Sequence, residues 1–440
     1  MDDRQKYFYM IDSIKKGNTQ KVRDMIDEFG LSFCPLLDDG NQLLTAAVGK
    51  DQVEMVAYLL RKNAKVNSDR DVLSPLQFAA MNNNTIIFKM LLEHGTKISN
   101  KNIKYNKSPI KLAVERNNIE IVRLIVEHKN FGKKYDQSLL CTAVKNNNLA
   151  MVSLLLEIGV DVNEYEENRS APIHYAVMAY NNDTLQLLLA HGADVNAKNE
   201  FRETPVFIIL KYGYILSDDK IRRFVPGPYF SDGKSNNILS TLLENDADIH
   251  VLEIRKKHIF SVFVNGTRID HNFDNDNLET LKCIIKQIVK LKSLNVPLSI
   301  NNDILLSSLV EYLPFDNYTK ICELEMSKII TEKIANSGIS LHNILSENYN
   351  VLAAYAKNKN HETFIFSDEV SRRFPIYGSA IKLRFLKGLA RKNLLEKSTQ
   401  VFHNLFPVAS KLLSDGVDDV FKCLDNIDLR HFLHLFQQDN

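Results

Sequence analysis

Pairs of adjacent apolar residues recur about every 33 residues along the first half of this 440-residue chain. Each pair ends a stretch in which apolar positions follow the spacing of an amphipathic α-helix. A fixed period of this length is typical of stacked helical repeats, because each unit buries its apolar face only against its neighbours. Six copies are marked by the pairs Met25-Ile26, Leu59-Leu60, Leu91-Leu92, Ile125-Val126, Leu155-Leu156 and Leu188-Leu189.

The first helix of a repeat has a recognisable start. A hydroxyl residue can cap the helix, and a proline can follow at the first helical position, where its missing N–H is not needed. This pattern occurs at Ser74-Pro75, Ser108-Pro109 and Thr204-Pro205. Small residues follow within each first helix and allow neighbouring repeats to approach closely, namely Ala47, Ala79, Ala113, Ala143 and Ala176.

Residues that tolerate a positive φ separate and end the helices. Gly17, Asn83, Asn117 and Asn147 occupy the expected turn between the two helices of a repeat. A glycine then closes the second helix, and a short hairpin is expected to lead to the next repeat. The closing glycines are Gly95, Gly159 and Gly192.

The copy from residue 171 to residue 196 contains Pro172, His174 and Ala176, followed by Gly192 and an Ala-Asp-Val-Asn segment. This copy resembles the ankyrin repeat, and the resemblance extends over residues 1–250. It implies an all-α ankyrin-repeat solenoid of helix-turn-helix units with short β-hairpin tips. It also implies that His174 bridges backbone groups of adjacent repeats, rather than acting in catalysis.

The repeat register breaks after Leu210, because the second helix expected for the seventh repeat arrives late, at 238–244. We therefore predict an insertion at 211–237, which is either a contact surface or a tolerated loop. Residues 251–300 read as a degenerate ankyrin-like unit, and residues 301–440 as a further helical region.

The segments 317–326, 339–345, 352–358 and 373–378 follow one another in this last region. Their order behind ankyrin repeats resembles the poxvirus-type ankyrin proteins with a C-terminal PRANC domain, as also found in parasitoid wasps. The resemblance implies an F-box-like end at 405–436, which in that family docks on the Skp adaptor of a cullin-RING ubiquitin ligase.

Two short segments carry the F-box likeness. Residues 418–424 match its apolar helix and residues 426–433 match its Asp-Leu segment, whereas the usual Leu-Pro start is replaced by the sequence at 412–416. An alternative for the same apolar stripe is a terminal helix pair that caps the solenoid. The resemblance implies an adaptor-docking set of Val420, Phe421, Leu424, Asp428, Leu429 and Phe432.

Charge and composition narrow the function classes. A net charge of +1 argues against a general attraction to nucleic acid. The basic stretch 372–397 is interpreted as an exposed or partner-docking helix face, with nucleic-acid binding as the weaker alternative. We find neither a signal-peptide core nor a long apolar run, so we expect no membrane association and a cytoplasmic location, with the nucleus also open.

Catalytic and metal-binding patterns do not emerge from the sequence. It has no phosphate-binding glycine loop, no nucleophile elbow and no zinc-protease helix. The five cysteines are scattered, and His431 and His434 lie one helical turn apart without a third ligand at useful spacing. We therefore expect a non-enzymatic protein without a cofactor or metal.

A binding protein remains the favoured class. Aromatic and arginine side chains at the loops between repeats are the types enriched among interface anchors, so Tyr105, Tyr165, Phe201 and Arg202 are the predicted contacts with a protein target. Recruitment of that target to a Skp/cullin ligase is one hypothesis. Sequestration of a signalling protein, in the manner of the inhibitor of NF-κB, is the other.

Overall fold

The computed structural model describes ten stretches of the chain, and its contacts divide it into two units, Met1–Val160 and Asp161–Asn440. The described part of each unit is built mainly from helices. The described stretches are residues 3–30, 41–67, 73–98, 108–128, 138–215, 234–249, 275–296, 313–334, 337–406 and 417–436.

The described part of the first unit consists of five helix pairs. First helices pack on first helices, from α1 through α3, α5 and α7 to α9, and second helices pack likewise from α4 to α10. This is the stacking of a helical solenoid. The helices are α1 Asp3–Lys15, α2 Thr19–Phe29, α3 Asn41–Gly49, α4 Val53–Arg61, α5 Pro75–Met81, α6 Thr85–Glu93, α7 Pro109–Glu115, α8 Ile119–Glu127, α9 Leu139–Lys145 and α10 Leu149–Glu157.

The second unit begins with two more pairs and continues into a helical region centred on one long helix. Helix α11 packs on α13 and α12 on α14, after which α15 packs on α14 and α16 on α15. The later helices surround α21. The bounds are α11 Pro172–Met178, α12 Asn182–Ala190, α13 Pro205–Ile215, α14 Lys234–Glu244, α15 Asn275–Ser293, α16 Leu313–Thr331, α17 Leu341–Ser346, α18 Tyr349–Tyr355, α19 Lys359–Ile365, α20 Asp368–Arg373, α21 Gly378–Leu405, α22 Val417–Cys423 and α23 Asn426–Phe436.

The predicted insertion is shorter than 211–237. Helix α13 continues to Ile215 and α14 begins at Lys234, so both ends of that range are helical. Residues 216–233 lie outside the described residues, as does the expected first helix of the unit at 251–300. The second helix of that unit is α15, which at 19 residues is longer than the second helices of the repeats.

Short polar contacts begin the helices as the sequence predicts. The Ser74 hydroxyl accepts a hydrogen bond from the Gln77 N–H at 3.2 Å, and the Gln77 amide oxygen accepts one from the Ser74 N–H at 2.8 Å. The Ser108 hydroxyl caps α7 in the same way. The predicted helix starts are confirmed because each cap satisfies an N–H that would otherwise lack a partner.

Consecutive asparagines form the turns within the repeats. Asn83, Asn117 and Asn147 have φ values of 61°, 58° and 55°, which confirms the predicted left-handed turn. The asparagine that follows each of them caps the second helix, as when the Asn84 Oδ1 atom accepts from the Ile87 N–H at 2.9 Å. The first asparagine of each pair therefore adopts the left-handed backbone conformation, and the second caps the helix that follows.

The loops before α11 and α13, which we call the first tip (161–171) and the second tip (194–204), differ from the expected hairpins. Neither contains a strand pair. In the second tip the Asn199 Oδ1 atom accepts from the Phe201 and Glu203 N–H groups, each at 2.9 Å. Because the side chain satisfies donors that a β-ladder would use, these tips fold as tight turns.

His174 connects the two tips. Its Nδ1 atom accepts from the Ala171 N–H at 3.0 Å, so the ring proton lies on Nε2. The Nε2 atom donates to the Ala197 carbonyl at 3.0 Å and lies 3.3 Å from the Glu203 carbonyl. Burial of the ring lowers the pKa of His174. The predicted structural role of this histidine is confirmed.

The alanines expected at close approaches between repeats are all buried. Ala113 in α7 has no exposed surface, and α7 packs against both α5 and α9. We predict that Ala113→Asp lowers the free energy of unfolding by at least about 3 kcal/mol, because it places an unpaired charge between stacked helices. Ala150→Asp, at an exposed position in the first turn of α10, is the control and should change little. Overlapping urea unfolding curves for the two variants would contradict this packing.

His174 also predicts a dependence of stability on pH. The folded protein disfavours the protonated ring, whereas the unfolded chain titrates at about pH 6.5. The contribution of His174 is therefore complete above that pH and is lost as the pH falls below it. Urea unfolding should be measured at about pH 7.5 and about pH 5.5. Between these two pH values the free energy of unfolding should fall more for the parent than for His174→Gln. Equal losses would show that this ring does not titrate on unfolding.

Candidate interaction surfaces and the junction that supports them

Exposed aromatic side chains mark both tips of the second unit. Tyr165 in the first tip is 45% exposed and Phe201 in the second is 67% exposed. Arg202 is also exposed and has a φ of 60°. Tyr105, the fourth predicted contact, lies outside the described residues. The structure thus brings three of the four predicted target contacts onto two neighbouring loops.

Hydrogen bonds hold these tips in place. The Tyr175 hydroxyl of α11 donates to the Glu166 carboxylate in the first tip. The Glu200 N–H donates to the Asn168 carbonyl at 3.2 Å, which joins the second tip to the first. A surface that is already ordered loses less conformational entropy when a partner binds.

A further residue, Arg169, belongs with this surface although sequence reasoning missed it. Arg169 has a φ of 55° and is exposed, and it lies one repeat before Arg202. A non-glycine residue in this conformation costs on the order of 1 kcal/mol. Arginine therefore occupies a strained position in both tips. Its recurrence one repeat apart was the signal available in the sequence.

The six predicted adaptor-docking residues divide by burial. Phe421 is 4% exposed and Leu429 is fully buried, whereas Val420 is 63% exposed. Asp428 is exposed, and Leu424 and Phe432 are partly buried. The buried members pack on α21 against Leu394, Leu395 and Phe402.

The core formed by α21, α22 and α23 buries part of the apolar stripe. The Phe421 ring lies 5.0 Å from the Phe432 ring and 6.1 Å from the Phe402 ring, between centroids. Phe421 and Leu429 therefore hold α22 and α23 on α21, and Val420 is left as the exposed apolar side chain of the set. Of the described helices that follow α14, α15 and α21 pack on it, whereas α22 and α23 pack on α21.

Arg391 fixes the end of α22. Its side chain is buried within α21 and its guanidinium donates to the Asn350 and Asn426 side chains at 2.8 and 3.1 Å. It also donates to the carbonyls of Phe421, Lys422 and Leu424. A cation at the C-terminal end of a helix satisfies carbonyls that have no partner within the helix.

The close crossing of α18 and α21 depends on one glycine. A Cβ atom at Gly388 would lie 2.5 Å from the Leu352 Cβ atom and 2.9 Å from its carbonyl carbon. No side chain fits at that distance, so Gly388 lets the two helices pack backbone to backbone.

Asp246 joins the last repeat to the C-terminal helices. Its Oδ2 atom is 2.6 Å from Arg384 Nη1, and its Oδ1 atom is 3.6 Å from Lys290 Nζ. The Tyr349 hydroxyl lies 3.5 Å from the same carboxylate. Arg384 donates further to the Ile344 carbonyl at 3.1 Å. Asp246 and Arg384 together therefore connect the end of α14 with helices α15, α17, α18 and α21.

The position of Asp246 is normally suited to glycine. Gly95, Gly159 and Gly192 occupy the equivalent place after their helices, with φ values of 79°, 88° and 91°. Asp246 has a φ of 66° there. The strain of this conformation is offset by the ion pairs, which glycine could not make.

Cations outnumber anions around this junction. Lys290 is 4% exposed, and burial lowers its pKa. Burial also lowers the pKa of Lys387 to about 8 and raises the pKa of Tyr349 to about 12. The Asp246 carboxylate raises the pKa of both lysines and so partly offsets the effect of burial.

A second link from the C-terminal helices reaches an earlier repeat. The Arg430 Nη2 atom in α23 donates to the Ala190 carbonyl at the end of α12, at 2.6 Å. Helix α23 therefore folds back onto the repeats. Because of this contact, it is not isolated at the far end of the solenoid.

The basic stretch 372–397 is only in part the exposed face that we expected, because Arg372 and Lys397 are exposed but other members are not. Arg391 is buried, and Arg384 is largely buried against Asp246. Arg373 pairs with Glu332 at 2.6 Å. These charges serve contacts within the chain, because the helices around α21 supply carbonyls and carboxylates that the local sequence does not reveal.

The described part of the chain contains no cluster of three metal-ligating side chains and no helix long and apolar enough to cross a membrane. The side chains of His431 and His434 lie outside the described residues. The architecture is that of an ankyrin-repeat solenoid followed by a helical C-terminal region, and ankyrin repeats are a protein-interaction module.

Comparisons with known proteins agree on the repeats. A family model for ankyrin repeats matches residues 10–102 and 110–199. The chain is 33% identical over 123 residues to the ankyrin repeat protein FPV115 of fowlpox virus, covering 28% of this chain and 22% of that protein. It is 28% identical over 102 residues to the fowlpox protein FPV031, covering 22% of this chain and 30% of that protein.

A human protein and a solved structure are also similar to the repeats. The human transient receptor potential cation channel subfamily A member 1 is 27% identical over 122 residues, covering 27% of this chain and 11% of the channel. Each of these three matches thus spans less than a third of the relative's own length. The ankyrin repeat domain of Bcl-3 matches 54% of this chain and 97% of its own, with 17% identity and a TM-score of 0.40.

The Asp246 junction can be tested by a double-mutant cycle. We predict that Asp246→Asn lowers the free energy of unfolding by about 2 kcal/mol, because buried cations lose their partner. Arg384→Gln should cost a similar amount, and the double variant should cost less than the sum by at least about 1 kcal/mol. Strictly additive costs, measured by urea unfolding, would show that these two side chains do not interact.

Proposed function

We propose that this protein is a non-enzymatic adaptor. In this proposal the ankyrin repeats recruit a protein target, and the F-box-like segment docks on a Skp-type subunit of a cullin ubiquitin ligase. The observation that carries the proposal is the junction through Asp246 and Arg430, which fixes the C-terminal helices to the repeats that present the tips. A ligase adaptor benefits from such a rigid connection, because it must hold a target at a defined place.

The target surface proposed here consists of Tyr165, Arg169, Phe201 and Arg202. Aromatic and arginine side chains carry much of the binding energy in protein interfaces. The exposed aromatics lie on two tips that a backbone hydrogen bond ties together, so one partner could contact both. Ankyrin proteins commonly bind partners through surfaces of this kind.

The docking surface proposed here is the outer face of α22 and the start of α23, with Val420 and Asp428 as the exposed members of the predicted set. Phe421 and Leu429 support this face from within. Their burial also favours a second candidate function, a sequestering inhibitor that covers a signalling protein without recruiting a ligase. In that case the C-terminal helices serve stability alone.

Co-purification of the full chain with a Skp-type adaptor and a cullin distinguishes the two functions. We expect Val420→Asp to weaken adaptor binding by about thirtyfold, the equivalent of about 2 kcal/mol, without loss of stability. Ile321→Asp, at a site that is 52% exposed in α16, is the matched control and should bind normally. Tyr165→Ala combined with Phe201→Ala should release the target and retain the adaptor.

Two results would overturn the adaptor proposal. The first is a parent protein that retains a target through the tips and never associates with the adaptor, which supports the sequestering inhibitor. The second is adaptor binding that Val420→Asp and Ile321→Asp affect equally, which places the docking surface elsewhere.

A further inference from the structure

A groove of about 400 Å³ lies along α21 between α18 and α22. Ala353 and Ala354 of α18 form one wall, Leu395 and Thr399 of α21 line the floor, and Asp418 is on the α22 side. The volume falls within the range of binding pockets, which is about 300 to 1,000 Å³. The described helices that form the groove leave it open on its outer side.

One end of the groove is closed. The Asn350 Nδ2 atom of α18 donates to the Lys422 carbonyl of α22 at 3.0 Å, so the two walls meet there. Arg391 bonds to both of these residues and reinforces the contact. From this end the lining continues along α21 to His403, a distance of about 16 Å from Lys392 at the helical rise per residue. Because one end is closed, a helix cannot run straight through the groove. A short segment that inserts one side chain can occupy it.

The interior of the groove suits an apolar side chain. Alanines at 353 and 354 leave space where larger residues would fill it, and Leu395 supplies an apolar floor. The lining also carries charge. Lys357 and Lys392 belong to it, and no described carboxylate lies within 4 Å of either ammonium group, whereas Lys422 pairs with Asp419 at 2.7 Å. The Lys392 Nζ atom contacts a carbonyl, that of Ala356, at 3.4 Å.

The lining contains fewer acidic residues than lysines. Asp418 accepts a hydrogen bond from the Thr399 hydroxyl at 2.9 Å, and Glu396 is the other carboxylate. Three lysines therefore face two carboxylates, and among the described residues two of these lysines, Lys357 and Lys392, have no ion-pair partner. The charge favours an acidic partner beside Lys357 and Lys392.

We propose that this groove binds a short peptide segment of a partner protein. The segment inserts one large apolar side chain over Leu395 between α18 and α22, and its flanking Asp or Glu residues meet Lys357 and Lys392. Asp418 and Lys422 face the groove, so Val420, two residues from each along α22, lies on the opposite side of that helix. The site is therefore separate from the proposed adaptor-docking face, and its occupancy does not depend on adaptor binding.

Selection from a phage-displayed library of random peptides of about 12 residues, panned on the full-length protein, tests the proposal directly. We expect enriched sequences that combine a large apolar residue with neighbouring Asp or Glu. Fluorescence anisotropy with the synthetic peptides should show affinity reduced at least about tenfold by Ala354→Trp, which fills the groove from an exposed position. Ala390→Trp, at an exposed alanine of α21 outside the groove, should leave the affinity unchanged.

The two lysines are tested in the same way. Lys357→Glu combined with Lys392→Glu should weaken binding at least about tenfold, and Lys397→Glu, outside the lining, should not. Peptides that bind both tryptophan variants equally, enriched sequences flanked by Lys or Arg, or the absence of any peptide sensitive to Ala354→Trp would each overturn the proposal. None of these results bears on co-purification with the ligase, so failure here is distinguishable from failure of the adaptor function.

Discussion

The ion pair between Asp246 and Arg384 is the contact on which the second unit depends. It connects residues 138 positions apart in the chain, with the oxygen and nitrogen 2.6 Å apart. Arg384 also holds the carbonyls of Ile344 and Glu347, so the same guanidinium orders α17 and the turn before α18. Without the carboxylate, Lys290 would be a buried cation with no opposite charge, which is costly. The last ankyrin repeat thereby becomes part of the C-terminal fold.

This junction gives the protein a simple mechanical property. The tips that carry Tyr165 and Phe201 are joined to each other by a backbone hydrogen bond, and His174 ties the first tip to the second. Arg430 then connects α23 to the end of α12. A partner on the tips and a partner on α22 would consequently be held by one folded body. The arrangement serves ligase recruitment well, and it also serves a stable inhibitor.

Local signals predicted the repeats correctly, because the forces involved act over a few residues. Ser74 caps the helix that follows it, and Asn83 adopts the left-handed turn that its side chain tolerates. The same reasoning failed for Arg391, whose carbonyl partners lie about 30 residues away on another helix. It also assigned Phe421 and Leu429 to a partner surface. A periodic apolar stripe shows that one face of a helix is buried, but it does not show which element covers that face.

Native-state hydrogen exchange tests the central claim, that the last repeats and the C-terminal helices form one cooperative body. If they do, the most protected amides of α14 and of α21 should exchange with the same free energy of opening at rising urea concentration, because one event exposes both. Helix α21 opening at a distinctly lower free energy, with α14 still protected, would contradict the account. In that case the C-terminal region would be a separate domain that only rests on the solenoid.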